Sequence, residues 1–183
     1  MVWTVKDADG RQPAFPLLVL EDVYRAHFEF VYRKAQRLGG PGIDAEDAAQ
    51  EVFLVVARRL LTFDGTSEVT TWLYGITLNV VRGLRRRARV RWLWERDAAR
   101  EAGPIAVESI DRAEVREAHR IAYEILDKMA AKKREVFILS DFEGLSGHEI
   151  AAITDTKVET VASRLHYARR EFAERLAKTR DVR

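Results

Sequence analysis

Cysteine is absent from the chain. Disulfide frameworks, thiolate zinc sites and cysteine nucleophiles are thereby excluded, and the composition suits a reducing compartment. Long apolar runs are scarce as well. The stretch from Met1 to Pro16 has no apolar core behind a basic start, and the longest run nearby is Leu17 to Leu20. That run is far short of the roughly 20 residues needed to cross a bilayer, so a soluble, unexported, cytoplasmic protein without membrane insertion is expected. Histidines are few and scattered, at His27, His119, His148 and His166. A zinc-protease helix would need a second histidine four residues after His148, and Ala152 stands there. No glycine-rich phosphate loop, nucleophile elbow or paired-carboxylate constellation is found. No metal, no cofactor and no catalytic activity are therefore expected.

What the chain does have is charge, unevenly distributed beneath a net +2. Residues 1–81 carry 8 Lys/Arg against 11 Asp/Glu, residues 82–100 carry 8 against 2, and residues 101–183 carry 15 against 16. A basic segment between two mildly acidic stretches is what a polyanion contact would produce, although a run of arginines is equally the solvated face of a helix.

The apolar spacing is helical throughout, with no sustained alternation of the kind strands show. Leu20, Val23, Tyr24, Phe28 and Val31 recur at helical intervals before Gly39-Gly40-Pro41-Gly42 breaks the chain. Asp44 can cap a second helix, and Asp47, one turn in, favours its positive end; Val52, Phe53, Val56 and Leu60 form its apolar stripe. The turn Phe63-Asp64-Gly65-Thr66-Ser67 comes next, and then TTWLYGITLNVVRGLRRRAR over residues 70–89. After Trp94 the pattern weakens through Gly103 and Pro104, which marks a flexible linker over 95–112. The expectation is an all-α protein of two small helical domains, 1–94 and 113–183, unrelated by any sequence repeat.

In the second domain, Ser146-Gly147-His148-Glu149 is a capping box. The helix it starts runs through Ile150, Ala151 and Ile153 and pauses at Thr154-Asp155-Thr156; another begins there, with Val158, Val161, Leu165 and Phe172 on one face. This is the spacing of a helix-turn-helix, though an ordinary helix pair with a polar surface would show it too. The outward face holds Glu159, Thr160, Ser163, Tyr167 and Arg170, with Lys157 at its start and Arg164 and Arg169 on the flanks. The first four can reach base edges and the arginines phosphates. At Asp155 a glycine would take the left-handed turn conformation more easily.

In the first domain, Trp72, Gly75, Asn79, Arg82 and Arg86 share one side of a helical wheel, a quarter turn from the core stripe Leu73, Ile76, Val80 and Leu84. An exposed aromatic, an amide and two arginines in line suit single-stranded nucleic acid, the ring stacking on a base and the arginines tracking phosphates. Taken alone, Trp72 fits a buried position better, and Arg85 to Arg91 fits a solvated helix end.

Both domains bear on one resemblance. DAEDAAQEVFLVVARRLLTFDGTSEVTTWLYGITLNVVRGLRRR resembles region two of the bacterial sigma factors, and AAKKREVFILSDFEGLSGHEIAAITDTKVETVASRLHYARREF resembles their region four. In this order, with a short linker and no region three, the chain from about residue 17 to 176 resembles an extracytoplasmic-function sigma factor. The resemblance implies binding to core RNA polymerase and direction of it to promoter DNA. It implies that Asp47, Gln50, Glu51, Val52 and Phe53 dock on a coiled coil of the largest polymerase subunit, which suits an acidic ridge meeting a basic helix. It implies that the loop from Phe63 to Thr71, with Thr70, Trp72 and Asn79, captures an unstacked base of the minus-ten element, while Arg82, Arg85 and Arg86 hold phosphates. The minus-thirty-five element would be read as duplex by Lys157, Glu159, Thr160, Ser163, Arg164, Tyr167 and Arg170. Regulation by an anti-sigma factor is implied as well. Family members often have Arg where this chain has Thr70, Pro where it has Ala130, Gly where it has Asp155 and Lys where it has Ala162. Two other functions fit the residues: a helix-turn-helix regulator that binds duplex DNA by itself, and a docking adaptor whose arginines are surface decoration.

Overall fold

The computed structural model describes residues 19–95 and 111–181. The expectations for residues 1–18, for most of the linker and for the last two residues lie outside the described residues. Within them every element is helical: α1 (Leu20–Gly39), a 3-10 turn (Gly40–Gly42), α2 (Ala45–Arg59), a second 3-10 turn (Leu60–Thr62), α3 (Val69–Glu95), α4 (Asp111–Asp127), α5 (Ala131–Phe137) running into a π-turn (Ile138–Phe142), α6 (Gly147–Thr154) and α7 (Val158–Asp181). The chain divides into two compact units. One reaches to Gly39 and takes in Ile43–Leu84; the other takes in Gly40–Gly42 and everything from Arg85 onward. The division falls inside α3.

The first unit is organised by three apolar stripes that meet. Val23 and Val31 of α1, Ala49, Val52, Phe53 and Val56 of α2, and Leu73 and Ile76 of α3 form one buried cluster, with Phe28, Tyr32, Trp72 and Val80 packed against it. Each fully buried branched side chain here contributes about 1.5–3 kcal/mol of transfer free energy. Phe53 anchors the aromatic side of this core, with Tyr24 edge-on at 4.7 Å and Phe28 beyond at 6.2 Å. The start of α2 is fixed by Asp44, whose carboxylate accepts from the backbone N–H groups of Glu46 at 2.8 Å and Asp47 at 3.0 Å. Thr77 is fully buried in α3, where its hydroxyl donates to the Leu73 carbonyl at 2.8 Å and so leaves no orphaned polar group.

In the second unit, Leu126, Val136, Ile138, Leu139, Ile150, Val161 and Ala168 are almost completely enclosed. Phe137 stacks on Phe172 at 4.5 Å, joining α5 to α7. The capping box forms in both directions: the Glu149 N–H donates to the Ser146 hydroxyl at 3.3 Å, and the Ser146 N–H donates to the Glu149 carboxylate at 2.8 Å. Asp155 sits in the left-handed region at φ 49° and ψ 56°, and its N–H and that of Thr156 both return to the Ala151 carbonyl. Among the described residues it is the one non-glycine with positive φ. At the start of α5, Ala130 offers no side-chain acceptor to the free N–H groups.

Replacing Ser146 by Ala should lower the stability of the second unit by about 1 kcal/mol, whereas Asp155→Gly, which removes the Cβ penalty of the left-handed turn, should raise it by about 1 kcal/mol; urea unfolding monitored by circular dichroism measures both. The bonds from Ser146 hold the Glu149 carboxyl below its ordinary value, and the bonds from Lys133 and Arg175 do the same for Glu171. Their contribution to stability is therefore complete above the ordinary value of 4.5 and is lost as pH falls through the lower folded values. An acid titration should show this unit losing stability as pH falls below that value.

Candidate nucleic-acid interface

Between α2 and α3 the chain makes a preformed turn. The Asp64 carboxylate accepts from the Thr66 backbone N–H at 3.0 Å and from its hydroxyl at 2.8 Å. These bonds, the backbone one first, hold the Asp64 carboxyl below the usual range. Gly65 comes next at φ 71°, a conformation that only glycine adopts freely. Immediately before the turn Phe63 is half-buried, and its ring centre lies 5.1 Å from that of Trp72. Trp72 is thus neither fully exposed nor fully buried: part of it packs on the first unit's core and part remains open beside Phe63. Thr70 is exposed just before the α3 stripe begins.

Along α3 the expected line is graded. Trp72, Gly75 and Arg82 are half-buried, while Asn79 and Arg86 are exposed. The Arg82 guanidinium donates to the Asn79 side-chain oxygen at 3.0 Å, so the amide orients the arginine one turn along. Leu73 and Ile76 on the other stripe are enclosed, and Val80 and Leu84 are half-buried. Arg85 is half-buried and its guanidinium donates to the Asp127 carboxylate, whereas Arg86, Arg87 and Arg89 are exposed.

On α2, Asp47 and Gln50 are exposed and Glu51 is half-buried. Val52 and Phe53, expected on the same docking ridge, have their side chains in the core at 0% and 7% exposure, where they support the ridge from beneath. Two apolar residues outside that expected ridge are instead open to solvent: Leu54 at 59% and Leu61 at 84%. Sequence spacing alone could have found Leu54, since three and seven residues separate it from Glu51 and Asp47 and place all three on one helix face.

In the second unit, α6, the Asp155 turn and α7 form the expected helix-turn-helix. Lys157, Glu159, Ser163, Tyr167 and Arg170 are exposed, and Thr160 and Arg164 are half-buried. Arg170 lies over the Tyr167 ring at 5.4 Å and reaches Glu174 at 3.6 Å. Arg169 is engaged by Asp141 and Ser140 of the π-turn. Among the described residues no three His, Asp or Glu side chains cluster to hold a metal ion, and no helix is long and apolar enough to cross a membrane.

Two segments of the chain match the profiles of one family: Sigma-70 region 2 over residues 23–90, and Sigma-70, region 4 over residues 119–172. The ECF RNA polymerase sigma factor SigE of Mycolicibacterium smegmatis is 36% identical, covering 95% of this chain and 67% of its own length. The RNA polymerase sigma-H factor of Pseudomonas aeruginosa is 33% identical over 87% of this chain and 84% of its own. Among solved structures, CnrH in complex with the cytosolic domain of CnrY has a TM-score of 0.61 at 25% identity, covering 87% of this chain and 88% of its own. The sigma factor RpoE of Bartonella quintana, solved with the anti-sigma factor NepR, shares the fold with a TM-score of 0.62 at 23% identity, covering 86% and 96%.

Two substitutions test the preformed turn. Asp64→Ala should speed limited proteolysis at residues 63–67 several-fold while leaving the urea unfolding midpoint essentially unchanged. Gly65→Ala, forced into the left-handed region, should cost about 1 kcal/mol in urea unfolding.

Proposed function

The chain belongs to the extracytoplasmic-function branch of the sigma-70 family of RNA polymerase sigma factors, and on that premise we propose how its surfaces divide the work of starting transcription. As a sigma factor it binds core RNA polymerase, recognises the minus-ten and minus-thirty-five promoter elements and promotes initiation. Its role is regulatory, with the chemistry left to the polymerase, and its workplace is the cytoplasm.

The docking surface is the α2 ridge. Asp47, Gln50 and Glu51 face a basic coiled coil of the largest polymerase subunit, and Val52 and Phe53 hold the ridge in place from the core. Opposite charge steers the encounter and fixes register. Melting is assigned to the turn and α3. Extruding a base from the duplex costs a few kcal/mol, and stacking on an aromatic returns about 1–3 kcal/mol. The open part of Trp72 beside Phe63 offers such a platform, with Thr70 and Asn79 on either side. The remainder comes from phosphates held by Arg82 and Arg86, and by Arg85 once a phosphate competes with Asp127 for its guanidinium. Because Asn79 already orients Arg82, less side-chain freedom is lost when a phosphate arrives.

The helix-turn-helix takes the minus-thirty-five element as intact duplex. Lys157, Glu159, Thr160, Ser163 and Tyr167 lie toward the base edges of the major groove, while Arg164 and Arg170 hold the backbone. Thr70 and Ala162 stand where relatives often carry cations, so the promoter preference differs from theirs. An anti-sigma factor is proposed as the regulator, a partner of the kind with which the Bartonella quintana protein was solved, covering the polymerase-docking surface. The observation that carries the whole is a preformed aromatic turn leading into an arginine helix, on the same chain as a capped helix-turn-helix.

Run-off transcription with core polymerase and a genomic promoter library tests this. Discrete new start sites should appear with the wild-type chain and fade when Arg82, Arg85 and Arg86 are replaced by Ala. If no initiation appears while the purified chain alone shifts duplex DNA specifically, a stand-alone regulator is the correct function. Asp47→Ala with Glu51→Ala should weaken core binding by about tenfold or more, read by fluorescence anisotropy, with the helical signal unchanged.

A further inference from the structure

Arg169 stands on a flank of α7 where an arginine could hold a DNA phosphate, yet its guanidinium is engaged within its own unit. The Nε group donates to both carboxylate oxygens of Asp141 at 3.1 Å, and Nη2 donates to the Ser140 hydroxyl at 3.2 Å. The π-turn makes this possible. A wide turn adds one residue to the helix and so rotates the residues beyond it by roughly 100°. Here Ile138 and Leu139 remain in the core, while the next two residues, Ser140 and Asp141, both face Arg169. Just beyond Arg169, Phe172 stacks on Phe137 at 4.5 Å. On the far side of that stack, Glu171 accepts from Lys133 at 2.8 Å and from Arg175 at 2.9 Å, and Arg175 also donates to the Lys128 carbonyl at 3.4 Å. The middle of α7 is thus pinned on both sides of one aromatic stack. Residues 157–167, which carry the groove-facing side chains, lie beyond these polar pins and are held only by the apolar side of the helix, where Val161 is buried.

We propose that Asp141 and Arg169, with Ser140 as a second acceptor, form a clasp that sets the angle of α7, making them positioning residues for minus-thirty-five recognition and not phosphate ligands. The proposal rests on α7 being the recognition helix. Its physical basis is leverage. Lys157 is about 18 Å along the helix from Arg169 at 1.5 Å per residue, so a tilt of about 5° at the clasp moves it by about 1.5 Å. A displacement of that size breaks hydrogen bonds to base edges, whose lengths vary over only about 0.5 Å. A lone exposed ion pair would set an angle poorly. This one is a three-bond contact between elements 28 residues apart, one of them a π-turn whose wider coil is frequently found at functional sites.

The test uses reconstituted holoenzyme, the promoter duplex found by run-off transcription and a random-sequence duplex of the same length, with affinities measured over a range of salt. Asp141→Ala and Arg169→Ala should each lower the preference for the promoter about fivefold to tenfold, with the double variant no worse than the poorer single one. The slope of log affinity against log salt should not change, and the charge swap Asp141→Arg with Arg169→Asp should recover part of the preference. Ser140→Ala, which keeps the ion pair, should lose about twofold and serves if the other variants melt below the assay temperature. The clasp is overturned if Arg169→Ala reduces the salt slope by about 0.9, the signature of a lost phosphate contact, while Asp141→Ala tightens binding. It is overturned equally if folded variants discriminate as well as the wild type. A wild-type holoenzyme with no promoter preference would sink the role of α7 itself, a result distinct from failure of the clasp alone.

Discussion

Everything in the first unit depends on the seating of the first turns of α3 against α1 and α2. Leu73 and Ile76 enter the cluster built on Val52, Phe53 and Val56, and this packing fixes the helix about its own axis. Once that rotation is fixed, helical spacing places the other side chains: Trp72 is left half in and half out, Asn79 faces water, and the arginines continue along the same side. Phe53, in the same cluster and packed on Tyr24 and Phe28 of α1, also supports the acidic ridge of α2. A single apolar cluster therefore orients both the α2 ridge and the open side of α3, the surfaces proposed for docking and melting, and damage to it would disturb both at once.

The helical class, the core stripes and the capping box are legible in the sequence because each rests on local periodicity or local hydrogen bonding. Val23, Val31, Val56, Leu73 and Ile76 lie where a 3.6-residue repeat puts them. Legibility is lost where tertiary packing chooses between two faces of one helix. Val52 and Phe53 carry both the core stripe and the resemblance to a docking motif, and the core takes their side chains; the exposed apolar residue of that face is Leu54. Trp72 fits a buried or an exposed position by its pattern, and its size lets it be both, since a large ring can bury one edge and leave the other open. Asp155 is legible as a strained turn and adopts the left-handed conformation expected of it.

The π-turn and the partners of Arg169 are not legible in the sequence. No propensity scale distinguishes ILSDF as a π-turn from the same residues in a regular helix, because the choice is made by what Ile138 and Leu139 bury and by what Asp141 and Ser140 find across the unit. Helical spacing puts Arg169 on the flank of α7, and helical geometry allows either solvent or a neighbour there. Charge alone does not decide it. The long-range partner does, and that lies 28 residues away in the chain.

The tail of α3 has a mechanical consequence. Arg82 and Arg86, and Arg85 and Arg89, are spaced four apart on a continuous helix. Each like-charge pair at that spacing opposes helix formation by about 0.2–0.5 kcal/mol. Asp127 already offsets the charge of Arg85, and an anion laid against the exposed Arg86 and Arg89 would relieve the repulsion that is left, so the end of the helix would stiffen as its charge falls. Such a helix end is a spring tightened by its own load.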